Sequence, residues 1–175
     1  PPAFCKSENL KSKLSSIFPN TIYNKKGDYL SESELIQFLK DADAAIIGRD
    51  PVTKTTLEAL PQLKMISKYG VGLDNLDIPS IKEKGVEFVI TAGTNKRSVA
   101  ELTLSFMLGL CHRTFIGAER IKQGKWIREG GHDLSGKTVG IVGCGNVGKE
   151  VVHLLKPFGC MIMICDIEDR SEFCC

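Results

Sequence analysis

Gly143, Gly145 and Gly148 follow the apolar run Thr138-Val-Gly-Ile-Val at the spacing G-x-G-x-x-G, and Asp166 stands 18 residues beyond Gly148, at the end of a second apolar run, Met161-Ile-Met-Ile-Cys. Each glycine has its own task. Gly143 can take a tight turn, Gly145 lets the backbone approach a phosphate, and Gly148 lets a following helix sit close on the strand. A helix starting near Asn146 aims unpaired N–H groups and the positive end of its dipole at that phosphate. Asp166 is placed to accept hydrogen bonds from both hydroxyls of an adenosine ribose. Strand, glycine turn, helix, second strand and acid together spell a dinucleotide-binding unit.

A second set of residues suits an anion. The apolar stretch 64–69 ends in Gly70-Val71-Gly72, a glycine turn whose backbone N–H groups can hold a carboxylate without a charged side chain. The stretch 44–48 ends in Arg49, whose guanidinium suits bidentate carboxylate binding. If both stretches are parallel strands, the turn and the arginine lie at ends facing the same way, where ligands of such sheets bind.

The elements that must hold these residues alternate. Strands are expected over 44–48, 64–69 and 86–90, with a weaker one over 21–23, and helices lie between them. Ser31 with Glu34 forms a capping box ahead of Leu35-Ile-Gln-Phe-Leu, and Pro79 suits the first turn of a helix beginning near Asp77. A long helix from about 97 to 112 carries apolar residues all round, which predicts burial on most sides, between domains or at a subunit interface. Glu101, near its start, reads as a partner for the helix dipole. Trp126 is expected to anchor the following polar connection by packing.

Composition narrows the class. The chain has 175 residues, 42% hydrophobic and 25% charged, enough for one sizeable core and the start of another. A formal net charge of +2 gives no reason to invoke nucleic acid or an acidic membrane surface, and no apolar run approaches the ~18 residues that span a bilayer. The seven cysteines form neither a C-x-x-C pair nor an even-numbered framework, which points to reduced thiols in a cytoplasmic protein and to no metal site. A full dinucleotide fold needs two mononucleotide halves, whereas one is expected here. With an opening Pro-Pro-Ala-Phe that no apolar strand precedes, the chain reads as the amino-terminal portion of a longer protein. Residues 1–95 form a first domain lacking its first strand, and 96–175 begin a second, truncated one.

The blocks Tyr69-Gly-Val-Gly-Leu-Asp-Asn75, Asn95-Lys-Arg-Ser-Val-Ala-Glu-Leu102, Leu134-Ser-Gly-Lys-Thr-Val-Gly-Ile-Val-Gly143 and Gly143-Cys-Gly-Asn-Val-Gly148 resemble, in order, those of the D-isomer-specific 2-hydroxyacid dehydrogenases, and are most similar to phosphoglycerate dehydrogenases. The resemblance implies an α/β chain: a flavodoxin-like, parallel-sheet substrate domain followed by the first βαβ unit of a Rossmann domain, with the active site in the cleft between. It implies NAD as cofactor, since an acid at Asp166 disfavours a 2′-phosphate, although Arg170 lies near enough to offset it. It also implies a small anionic 2-hydroxy acid as substrate, 3-phosphoglycerate first and glyoxylate or hydroxypyruvate as alternatives, and places the parent in serine biosynthesis as a cytoplasmic homodimer. A non-catalytic module that senses NAD and dimerises is the reading of another class.

Carried over by position, the resemblance puts Gly70, Val71 and Gly72 beside substrate and nicotinamide, with Val71 near the cofactor, and lays Asn146 and Val147 against the pyrophosphate. Arg49 and Asn95 match positions that contact the substrate's acidic end, and the Asn95 to Arg97 cluster favours an anion. Family members take a substrate-binding arginine and a histidine–glutamate pair from segments beyond this chain. No catalytic residue is therefore expected within it, and His112, His132 and His153 are read as surface or packing residues.

Overall fold

The computed structural model describes residues 1–126 and 128–174, which form two compact units, Pro1–Ala92 and Gly93–Cys175. In the first unit, helices α1 (Pro2–Lys6), α2 (Glu8–Ile17) and α3 (Glu32–Leu39) precede strand β1 (Ala44–Ile47). Helix α4 (Lys54–Ala59), β2 (Met65–Lys68), α5 (Ile78–Glu83) and β3 (Glu87–Val89) follow. The three strands are parallel in the order β1-β2-β3, with Ala45 opposite Ile66 and Ile66 opposite Phe88. Leu35, Leu39, Ile47, Val52, Leu57, Leu60, Ile66 and Ile81 form the core. Ile66 lies on the central strand and is fully buried, so truncation to alanine should cost about 2–5 kcal/mol.

Local signals set the helix starts. The Glu34 carboxylate accepts the Ser31 backbone N–H and hydroxyl, each at 2.8 Å, at the head of α3. Asp77 caps α5 by accepting the Ser80 N–H at 3.1 Å and its hydroxyl at 2.7 Å.

The second unit contains α6 (Lys96–Cys111), α7 (Thr114–Lys122), β4 (Thr138–Val142), α8 (Asn146–Leu155) and β5 (Met161–Cys165). Strands β4 and β5 pair in parallel from Thr138 opposite Met161 to Val142 opposite Cys165. Helix α8 buries Gly148, Val151, Val152 and Leu155, and α6 packs against the same core through Ala100, Leu104, Met107 and Leu108. Helices α6 and α7 bend by 66° at a break containing Arg113, the one described non-glycine residue with a left-handed φ, 54°. Among the described residues no single helix is long and apolar enough to cross a membrane.

Two expectations are corrected. Residues 21–23 form no strand: the Tyr23 hydroxyl turns to α2, donating to the Lys11 carbonyl at 2.9 Å and meeting Ser15 Oγ at 2.7 Å, while Ile22 points to solvent. The long helix, expected to be buried between domains or at a subunit interface, meets α8 along one face within the second unit. Its Ala100 and Gly109 are buried, and Leu102, Phe106 and Leu110 are exposed on this single chain. Trp126, expected to anchor its connection by packing, stands 78% exposed in an irregular stretch.

Candidate functional site

In the second unit, β4 runs into Gly143, whose φ of 87° continues the chain in a turn that a side chain would strain. Gly148 is buried on the first turn of α8, where an added Cβ would collide with the Gly143 carbonyl oxygen. That contact seats the helix end on the strand end. The first backbone bond into the helix is Lys149 N–H to the Gly145 carbonyl at 3.0 Å, so the N–H groups of Asn146, Val147 and Gly148 belong to the open helix end. Gly145 and Asn146 are exposed and Val147 is half-buried.

Asp166 follows β5 and closes the other side of the turn. Its Oδ2 accepts the Cys144 N–H, and its Oδ1 accepts the Glu168 N–H at 3.1 Å. These backbone donors, Glu168 first and then Cys144, hold its carboxyl below the ordinary range and keep it ionised. Each oxygen retains a free lone pair, so two vicinal hydroxyls can still donate to it. Asp166, Asp169, Arg170 and Ser171 help line an open cavity of about 370 Å³. Arg170 Nη2 is engaged by Glu168, and its buried Nε has no hydrogen-bond partner among the described residues. The Cys144 side chain turns into the core, where burial pushes its thiol pKa up. An open helix end beside an ionised acceptor at a strand tip fits the pyrophosphate and ribose of a dinucleotide.

Helix α6 begins at Asn95, which is exposed and makes no side-chain cap. Arg97, in the Asn95 to Arg97 cluster, is already paired. Its Nε meets Glu101 at 2.6 Å and its Nη1 meets Glu150 of α8 at 3.0 Å, so it ties α6 to α8. Glu101 likewise pairs with Arg97. Asn146 lies under Gly93, where a Cβ would come within 2.9 Å of its side chain.

In the first unit, parallel pairing of β1 and β2 puts Arg49 and the 70–72 turn at the same carboxyl edge of the sheet. The Arg49 guanidinium lies 5.9 Å from the Tyr29 ring centroid and has no ion-pair partner among the described residues. Gly70 takes a φ of 130°, and Gly70, Val71 and Gly72 are all exposed. Phe4 packs edge-on against Tyr69 at 5.6 Å.

Residues 7–160 match the family D-isomer specific 2-hydroxyacid dehydrogenase, catalytic domain. The chain belongs to this family. Its members are NAD-dependent oxidoreductases. The chain is 35% identical over 142 residues to the hydroxypyruvate reductase of Thermotoga maritima, covering 79% of this chain and 46% of the relative. It is 36% identical over 137 residues to the D-3-phosphoglycerate dehydrogenase of Methanocaldococcus jannaschii, covering 77% of this chain and 26% of that one. The NAD-dependent formate dehydrogenase of Staphylococcus aureus, solved in complex with NAD, superposes with a TM-score of 0.74 at 26% identity, over 90% of this chain and 50% of the other. The chain thus spans less than half the length of these two curated relatives.

Within this chain, sequence reasoning missed three polar residues beside the 70–72 turn. Lys68, Asp50 and Asn75 are buried or half-buried and hydrogen-bonded to one another's turns. Asn75 was visible inside a recognised block, but a lysine at a strand end reads as solvent-exposed, and nothing in the sequence marks it as buried. The three imidazoles, on His112, His132 and His153, are exposed and form no ion pair among the described residues.

Proposed function

We propose that this chain is the amino-terminal portion of an NAD-dependent dehydrogenase that moves hydride between nicotinamide and C2 of a small anionic 2-hydroxy or 2-oxo acid, with 3-phosphoglycerate the leading substrate. The observation that carries the reading is the closure of the glycine turn by Asp166 through the Cys144 N–H, which sets an ionised acceptor beside the open end of α8. In this reading Gly143, Gly145, Asn146, Val147 and Gly148 receive the pyrophosphate and Asp166 holds the adenosine ribose. Arg170 is neutralised by Glu168, which supports NAD over its 2′-phosphorylated form. Bound nicotinamide supplies the hydride acceptor. The chain's own residues bind and orient: Arg49 and the N–H groups of Gly70, Val71 and Gly72 receive the acidic substrate, Val71 borders the nicotinamide, and Asn95 contacts the substrate's charged end.

Residues 1–95 are the substrate domain in this proposal and 96–175 the start of the cofactor domain. No residue here is assigned proton transfer, so the 175 residues alone should not turn over. The exposed row Leu102, Phe106, Leu110, Phe115, Ile116 and Ile121 on α6 and α7 supports a homodimer of the parent. A cytoplasmic setting accords with cysteines that are free at every described position. Reduction of hydroxypyruvate is the second reading, favoured by the Thermotoga maritima relative. Steady-state assays of the full-length dehydrogenase carrying this chain, with 3-phosphoglycerate, hydroxypyruvate and glyoxylate compared by kcat/KM, test the assignment. The highest value for 3-phosphoglycerate is expected, and no NAD-linked turnover of any of the three would refute it.

A further inference from the structure

Strand β2 ends in Lys68, a lysine only 9% exposed. Its Nζ donates to the Gly48 carbonyl, immediately before Arg49, and to Asn75 Oδ1 at 2.6 Å. Asn75 in turn donates from Nδ2 to the Asp50 carbonyl at 2.6 Å and to the Gly48 carbonyl at 3.2 Å. Asp50, 4% exposed, accepts the Leu30 N–H at 2.8 Å and the Gly48 N–H at 3.2 Å. Lys68 precedes the 70–72 turn and Asn75 follows it, so both feet of the glycine arch are bound to the 48–50 turn that carries Arg49. The Lys68 Cε lies 3.9 Å from where a Gly70 Cβ would stand, directly beneath the arch.

A buried ammonium is an expensive way to tie two carbonyl-rich turns. Burial is the largest influence on Lys68 and lowers its pKa, Arg49 adds to the lowering, and Asp74 and Asp50 oppose it. A neutral donor would serve if only the tie mattered. A fixed cation under exposed backbone N–H groups also attracts an anion, and it does so through a medium that screens it less than water.

We propose that Lys68, seconded by Asn75, is a positioning residue of the substrate site: it locks the 70–72 turn against the Arg49 turn and places a fixed positive charge beneath both, so that the two donor sets meet one anionic group. This rests on the assignment of Arg49 and the 70–72 turn to the acidic substrate. Lys68 itself is screened from the substrate by the glycine arch and acts through it.

The test uses the full-length dehydrogenase carrying this chain, 3-phosphoglycerate as probe, and Lys68→Met, which keeps an unbranched side chain one atom shorter while removing charge and donors. KM for 3-phosphoglycerate should rise about 10-fold, since a poorly screened charge and the lock on the turn are both lost, while KM for NAD stays within about twofold. Amide exchange at Gly70 to Leu73 should accelerate while the amides of β1 to β3 keep their protection. If Lys68→Met loosens the whole sheet, Asn75→Ala decides: it should give the same selective acceleration and a smaller rise in KM. Unchanged KM and unchanged turn exchange in whichever variant keeps its sheet would overturn the proposal. Arg49→Ala is the control on the underlying assignment. If it leaves KM for 3-phosphoglycerate unchanged, the substrate reading fails, and turn exchange in Lys68→Met still reports on the tie.

Discussion

The chain carries two glycine turns at the carboxyl ends of parallel strands, and they are held in different ways. The 70–72 turn stands on buried side chains, with Lys68 and Asn75 bound to the carbonyls of the 48–50 turn and a three-stranded sheet behind it. The 143–148 turn is held by backbone: the missing side chain at Gly148, and a single peptide N–H given to Asp166. Its sheet has two strands, and Val142, Met161 and Met163 leave apolar surface open, Val142 being 90% exposed. In the proposed reading the first turn meets charge with charge. The second is a set of oriented peptide dipoles, which a phosphate satisfies and whose strength depends on close helix-to-strand approach.

The sharpest way to break the comparison is Gly148→Ala. The new Cβ meets a backbone oxygen that no rotamer change can move, so the second unit should lose about 1–3 kcal/mol and NAD affinity should fall by more than tenfold. Calorimetry should show the loss in the second unit while amide protection in β1 to β3 stays unchanged. Gly70→Ala offers a counterpart: it meets only the Lys68 Cε at 3.9 Å, so its penalty comes from a φ of 130° rather than from collision.

Next in size is Arg49→Ala, which should raise KM for 3-phosphoglycerate about tenfold or more and leave KM for NAD nearly unchanged in the full-length enzyme. Equal effects on both would make Arg49 a structural residue resting on Tyr29.

Much of this architecture was legible in the sequence because its causes are local. The 143–148 turn needs glycine at fixed offsets, the runs before and after it have strand lengths, and Ser31, Asp77 and Pro79 mark helix starts by capping chemistry alone. The missing parts have non-local causes. Lys68 is buried because the 48–50 and 73–75 segments cover it, which no window around Lys68 reveals. Arg97 is neutralised by Glu150, 53 residues away. The 21–23 stretch has strand-like composition but pairs with no strand among the described residues, and Tyr23 instead satisfies its hydroxyl on α2.

pH separates the two turns more gently. Asp166 has a folded pKa below its ordinary 3.8, so its stabilisation of the second turn is complete above that value and is lost as pH falls through the folded pKa. Lys68 has a folded pKa below 10.5, so its charge opposes folding at neutral pH and stability rises as pH climbs from the folded value to 10.5, while attraction for an anion falls. Acid should therefore loosen the second turn first, and alkali should weaken substrate affinity at the first. Amide shifts of Cys144 and Gly70 across the pH range report each.

The smallest expected effect is that of Arg97→Gln. Its pairs with Glu101 and Glu150 are partly exposed, so the loss should be about 0–1 kcal/mol of second-unit stability by thermal unfolding. A loss several times larger would show that the junction of α6 with α8 depends on charge rather than on the packing of Ala100 and Leu104.

The central claim is that the 143–166 segment is an NAD site whose selectivity comes from Asp166. Calorimetric titration of NAD and NADP into the full-length protein and into Asp166→Ala tests it most directly. The account predicts tighter binding of NAD than of NADP. It also predicts a loss of about 10- to 150-fold in NAD affinity on substitution, equivalent to ~1.5–3 kcal/mol of charge-assisted hydrogen bonding, with a smaller loss or a gain for NADP. An NAD/NADP ratio that is the same in both proteins would contradict it.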